Sequence, residues 1–82
     1  MKIITTNTDT IKHITITSAC KTHVRILNDY NHNAITYEEY IQTMNDARHD
    51  YIDMIESFED FELISREEYE ELELYINIRF TE

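Results

Sequence analysis

Neither glycine nor proline occurs anywhere in the 82 residues, where average usage would supply about six and about four. Their absence removes the glycine-rich phosphate loop and the EF-hand calcium loop, whose tight bends need a residue that takes left-handed backbone freely. Turns must then rest on Asn and Asp, the side chains that best tolerate that conformation. Cysteine is nearly absent as well. With Cys20 alone, no intramolecular disulfide can form, and a small domain without such staples points to a reducing compartment. Lysine is scarce: only Lys2, Lys12 and Lys21 occur. An AT-rich genome would deplete Gly and Pro codons but enrich lysine, so codon bias leaves the missing lysines unexplained and points to pressure against positive charge. Long apolar runs are missing too. Leu74-Tyr75-Ile76 is the longest, far short of the roughly 20 residues of a membrane span, and Met1–Asn7 has no apolar signal-peptide core. The expected location is the cytoplasm.

What is abundant is acid. The formal net charge is −10, and all of it lies in residues 41–82. Thirteen acids there face only Arg48, Arg66 and Arg79, while residues 1–40 balance four acids against four bases. A single-sign field of this kind costs stability by self-repulsion and steers association with a basic partner. It disfavours direct nucleic-acid binding, because phosphate contacts need Lys or Arg. At this length the chain reads as a single domain, 1–82, with a small core and little room for an enclosed active site.

Hydropathy patterning predicts an α+β fold. Lys2–Thr6 and Thr10–Thr17 are rich in β-branched residues, Ile14 and Ile16 alternating with Thr15 and Thr17, and read as a strand hairpin. Residues 19–30 fit a helix capped by Ser18 or a strand through His23–Leu27, with helix slightly favoured. Thr36-Tyr37-Glu38-Glu39 is a capping box, Glu39 lying three residues after the Thr36 cap. The apolar positions Tyr37, Tyr40, Ile41, Met44, Ala47, Tyr51, Ile55 and Phe58 then predict a long helix over 37–58. Ser65-Arg66-Glu67-Glu68 is a second capping box and opens a short acidic helix to about Leu72. Leu72, Leu74, Ile76, Ile78 and Phe80 alternate with polar or aromatic residues, which predicts a C-terminal strand. Turns are expected at Asn7–Asp9, at Asn28–Asn33 and near Glu59-Asp60. The whole is a small antiparallel sheet packed on one long helix.

Two acidic groups carry the functional expectation. On the long helix, Glu39, Asp46, Asp50 and Asp53 fall on the face opposite the core, with Glu56 alongside. A denser group follows: Glu59, Asp60, Glu67, Glu68, Glu70 and Glu71, with Tyr69 among them and Glu62 and Glu73 nearby. Carboxylates one helical turn apart stand about 5–6 Å from one another, near the spacing of phosphates along a strand. Tyrosines are enriched at binding hot spots, but core or sheet packing is the favoured reading for each one here. The bland reading of the acids themselves is a solvated helix face.

In size, charge, lack of Gly and Pro, and the acid-rich segment Asp53–Glu73, the sequence resembles the small acidic inhibitors of phages and mobile elements. Among these are the nucleic-acid-mimicking anti-CRISPR and anti-restriction proteins. The resemblance implies an inhibitor that binds the basic nucleic-acid-binding groove of a nuclease and blocks target DNA or RNA. Two other readings stand beside it: an antitoxin or immunity-type module that neutralises a basic toxin, and a structural module that dimerises through a sheet edge near Ile3 or Ile78. Oligomeric state is otherwise unreadable. Catalysis is not expected. Cys20 and His23 lie three apart but supply too few ligands for a zinc site, His49 and Asp53 one turn apart are a weak metal pair, and no cofactor motif occurs.

Overall fold

The computed structural model describes residues 7–81. It contains three α-helices: α1 (Asn7–Asn31), α2 (Tyr37–Asp60) and α3 (Arg66–Arg79). They run up, down and up, each packing against the other two. Lys12 on α1 meets Glu71 on α3, and eight residues on, Cys20 meets Arg79. The constant offset of 59 residues means that α1 and α3 lie parallel and in step, with α2 antiparallel to both.

Among the described residues there is no strand, so the expected α+β architecture is wrong: the fold is all-α. Lys2–Thr6, the first arm of the expected hairpin, lies outside the described residues. Thr10–Thr17, the second arm, belongs to α1. Its Ile/Thr alternation misleads because the inward positions follow helical spacing rather than every second residue. Ile11, Thr15, Ala19 and Ile26 follow helical spacing; Thr15 is 1 % exposed whereas Ile14 is 58 % exposed. β-Branched residues cost a helix only tenths of a kcal/mol each, and packing of one face outweighs that. The ambiguous 19–30 segment is helical throughout.

The C-terminal strand is likewise overturned. Tyr69, Leu72, Ile76 and Phe80 are all buried, while Leu74 and Ile78 are 62 % and 67 % exposed. In a strand, residues 72, 74, 76, 78 and 80 would share one face. In the helix, Leu74 and Ile78 turn some 200° away from Leu72 and Ile76. The period-2 pattern is thus a buried helical row overlaid on two exposed apolar residues, and the helix opened at Ser65 runs on through Arg79.

Both capping boxes form. Thr36 Oγ1 accepts from the Glu39 amide at 3.1 Å and Ser65 Oγ from the Glu68 amide at 3.1 Å, while Glu39 and Glu68 each accept from the cap residue's own amide. Without glycine, the helices stop on residues forced into left-handed backbone, Asn33 (φ 62°) and Glu62 (φ 60°). At each stop two backward bonds satisfy terminal carbonyls: Ala34 N–H to Asp29 O and Asn33 N–H to Tyr30 O after α1, Leu63 N–H to Phe58 O and Glu62 N–H to Glu59 O after α2. This is the Schellman arrangement. The first stop coincides with the expected Asn28–Asn33 turn; the second falls just beyond Glu59-Asp60.

Ala19, Ile26, Met44, Ile55, Leu72, Ile76 and Phe80 meet at the centre of the core. Tyr51 stacks on Phe80, ring centroids 5.7 Å apart, and its hydroxyl is shared with Ser18 (2.6 Å) and Thr22 (2.9 Å). That polar knot fixes how α1 slides against α2. At the α1–α2 turn, Tyr30, Tyr37 and Tyr40 form an aromatic cluster, the closest pair stacked at 4.8 Å.

Candidate functional site: an acidic helical band

Charge is divided sharply between helices. α2 carries eight acids and a single base, Arg48; α3 carries five acids and two bases; α1 holds two acids and three bases. Because the apolar residues of α2 turn inward, its acids are driven outward. Asp46, Asp50, Asp53, Glu56 and Asp60 are all exposed. Asp50, Asp53 and Asp60 form neither an ion pair nor a side-chain hydrogen bond among the described residues, and Asp46 accepts only from Gln42 Nε2 at 2.9 Å. The stripe is a band rather than a line. Asp46 and Asp50 turn toward the open side of α1, where they line a cavity with Arg25; Glu56 turns toward α3.

On the α3 side the band is organised by Arg66. Its guanidinium donates to Glu59 Oε1 at 3.0 Å, approaches Glu70 Oε2 at 3.5 Å and lies 4.8 Å over the Tyr69 ring. The bond to Glu59 is the main cause that holds the Arg66 pKa above its usual value. Tyr69 itself is a core residue, 5 % exposed, so its ring is not part of the outer surface. Its hydroxyl donates to Glu56 Oε2 at 3.5 Å. Burial first, then the carboxylates of Glu73, Glu56 and Glu59, push its pKa up. Three carboxylates thus act electrostatically on this one tyrosine, Glu56 through a direct contact. Glu73, which closes the acid-rich segment but is not among the expected partner-binding residues, belongs to this group. Helical continuation puts it one turn beyond Tyr69, and the Ser65 capping box is the signal that could have carried the helix that far.

Three of the other expected residues are engaged in building the fold. Glu39 and Glu68 are spent in the capping boxes. Glu71 pairs with Lys12 at 2.8 Å, tying α3 to α1, and this bond is the main cause that raises the Lys12 pKa. Glu67 is exposed and unpaired among the described residues. The free part of the band is therefore Asp46, Asp50, Asp53, Asp60 and Glu67, with Glu56, Glu59, Glu70 and Glu73 grouped around Arg66 and Tyr69.

Placement of acid relative to the helix ends is informative. Glu38, Glu39, Glu67 and Glu68 sit in first turns, where the helix dipole favours them. Glu59 and Asp60 sit in the last turn of α2, which contains no basic residue, and there the dipole opposes them by about 0.3–1 kcal/mol each. Glu59 is held there by Arg66, but Asp60 has no ion pair among the described residues, so folding does not call for acid at Asp60.

Cys20 and His23 form no nucleophile–base pair. Cys20 Sγ accepts from Arg79 Nη2 at 2.9 Å, whereas His23 packs edge-on against Phe80, centroids 5.9 Å apart. The His23 Nδ1 and Arg79 Nε atoms are buried without a hydrogen-bond partner. Burial, and secondarily the Arg79 charge, lowers the His23 pKa. Among the described residues, no three His, Cys, Asp or Glu side chains group as a metal site, and no helix is long and apolar enough to cross a membrane. No protein-family model, curated protein or solved structure matches this chain.

Proposed function

We propose that the protein is an acidic inhibitor that occupies the basic nucleic-acid-binding groove of a nuclease or related protein and so keeps DNA or RNA out of it. The observation that carries this reading is the exposed band on α2: eight acids against one base along a single helix of 24 residues, roughly 36 Å at 1.5 Å per residue. Most of its outermost carboxylates lack any cation of their own. Carboxylates fixed on a helix at turn spacing lose little freedom on binding, so each can form a charge-assisted bond to a guanidinium or ammonium at low entropic cost. Asp60 in the last turn of α2 favours the same reading, because it opposes the dipole, has no ion pair among the described residues and needs a reason other than folding.

Competition tests it. A partner recovered from host lysate at low salt should be released by moderate salt and by added duplex DNA or RNA. Substituting Asp53→Lys, Asp60→Lys and Glu67→Lys together should weaken that complex by about tenfold to hundredfold. Asp9→Lys with Asp29→Lys, which alter charge on exposed sites of α1, should do far less. Equal losses from both sets, or a complex indifferent to nucleic acid, would sink the proposal.

A further inference from the structure

A second surface lies on the open side of the α1–α2 pair, away from α3. Three adjoining cavities of about 180, 440 and 480 Å³ run along it, linked through Ser18. Toward the N-terminal end of α1 the walls are apolar, with Ile11, Ile14, Met54 and Phe58. Farther along, the α1 rim is basic, with Lys21 and Arg25, and the α2 rim is acidic, with Asp46 and Asp50. In a protein this acidic, cations should be claimed by nearby carboxylates. Lys12 and Arg66 are. The Lys21 and Arg25 side chains form no ion pair or hydrogen bond among the described residues, although Arg25 lines the same cavity as Asp46 and Asp50.

We propose that this face joins two copies of the chain. A closed two-fold interface must be self-complementary, and here one rim has the sign opposite to the other. A two-fold axis parallel to the helices lays α1 of each copy antiparallel over α2 of the other. Arg25, Asp46 and Asp50 stand at one level of the bundle, since they share a cavity. The operation therefore brings Lys21 and Arg25 of each copy over Asp46 and Asp50 of its mate. It likewise brings the 58 % exposed Ile14 toward Met54 and Phe58. The result is a four-helix contact with antiparallel neighbours, a common packing solution. A two-fold axis across the helices would instead stack α1 on α1 and leave the acidic rims facing each other. An unrelated helix entering the groove would have to supply its own matching charges, whereas a second copy brings them by symmetry. Of the free band, Asp46 and Asp50 enter this contact while Asp53, Asp60 and Glu67 stay outside it, so self-association and the inhibitor reading are tested by different residues.

Sedimentation equilibrium of the whole chain at low salt tests it. The mass should rise toward twice 9.9 kDa by about 100 μM, the range of a modest interface. Lys21→Glu with Arg25→Glu makes both rims acidic, and Asp46→Lys with Asp50→Lys makes both basic. Each variant alone should remain a monomer, and an equimolar mixture should form a heterodimer, which also demonstrates that both are folded. Ile14→Asp, at an exposed site that folding does not need, should weaken self-association at least about tenfold. A wild-type chain that stays monomeric overturns the proposal, as does either double variant dimerising alone or a mixture that fails to associate.

Discussion

α1 and α2 are nearly equal in length, 25 and 24 residues, and pack against each other, yet they are built on opposite plans. α2 keeps apolar residues inward and acid outward, and begins at a capping box. α1 turns hydroxyls inward at Thr15, Ser18 and Thr22, leaves Ile14 outside, and has no carboxylate excess. The pair shows that a helix can be held by a polar seam as well as by an apolar one, provided the hydroxyls find partners. Tyr51, reaching across from α2, is that partner for Ser18 and Thr22. The division also separates surfaces: acid collects on α2 and α3, while among the described residues the cations without partners, Lys21 and Arg25, stay on α1.

The largest test of this contrast strikes the apolar seam. Ile55 is 0 % exposed, so Ile55→Ala should cost about 2–5 kcal/mol in denaturant unfolding. Thr15→Val, at an equally buried position of α1, should cost clearly less. A reversed order would mean that α1 supplies the tighter packing. Tyr51→Phe probes the polar seam by removing one hydroxyl that serves both Ser18 and Thr22, and the expected loss is about 1–3 kcal/mol. No change in the unfolding midpoint would show that those hydroxyls are satisfied without it.

The two helix stops sharpen the comparison further. Asn33 suits left-handed backbone, whereas Glu62 has no such aptitude. Glu62→Gly should therefore raise stability by about 0.5–1 kcal/mol, and Asn33→Gly should change it less; a destabilised Glu62→Gly would refute strain at that stop. The smallest effect is expected at His23, on the α3-facing side of α1. Its folded pKa lies below the unfolded value of 6.5. Its contribution is thus fully present above that value and is lost as pH falls through the folded pKa. His23→Gln should flatten the decline in stability as pH falls below 6.5, as followed by thermal melts. An unchanged slope would assign the decline to other groups.

Legibility followed the same divide. α2 can be read almost to its ends because its polarity segregates at 3.6-residue spacing and Thr36–Glu39 marks its start. α1 cannot, because polarity predicts exposure only when polar groups lack partners in the fold, and Ser18, Thr22 and Tyr51 supply one another. α3 is legible at Ser65 but not beyond Leu72, since Leu74 and Ile78 are apolar and exposed. Of the candidate site, the acids themselves are plain in the sequence. That Tyr69 is core, that Glu39, Glu68 and Glu71 are occupied, and that Glu73 joins the group around Tyr69 depend on neighbours far along the chain or on how long a helix lasts.

Composition and local spacing alone determined the charge, its concentration after residue 40, the lack of disulfide and glycine-loop chemistry, and both capping boxes. Each of these is a property of residue types within a few positions of one another. Whether β-branched and alternating segments became strand or helix was decided by tertiary structure. Intrinsic preferences differ there by only tenths of a kcal/mol per residue, while the three-helix core supplies kcal/mol for each buried Ile, Leu or Phe. The packing also decided which carboxylates were neutralised and which stayed free, because an ion pair such as Lys12–Glu71 joins residues 59 apart that only the bundle brings together.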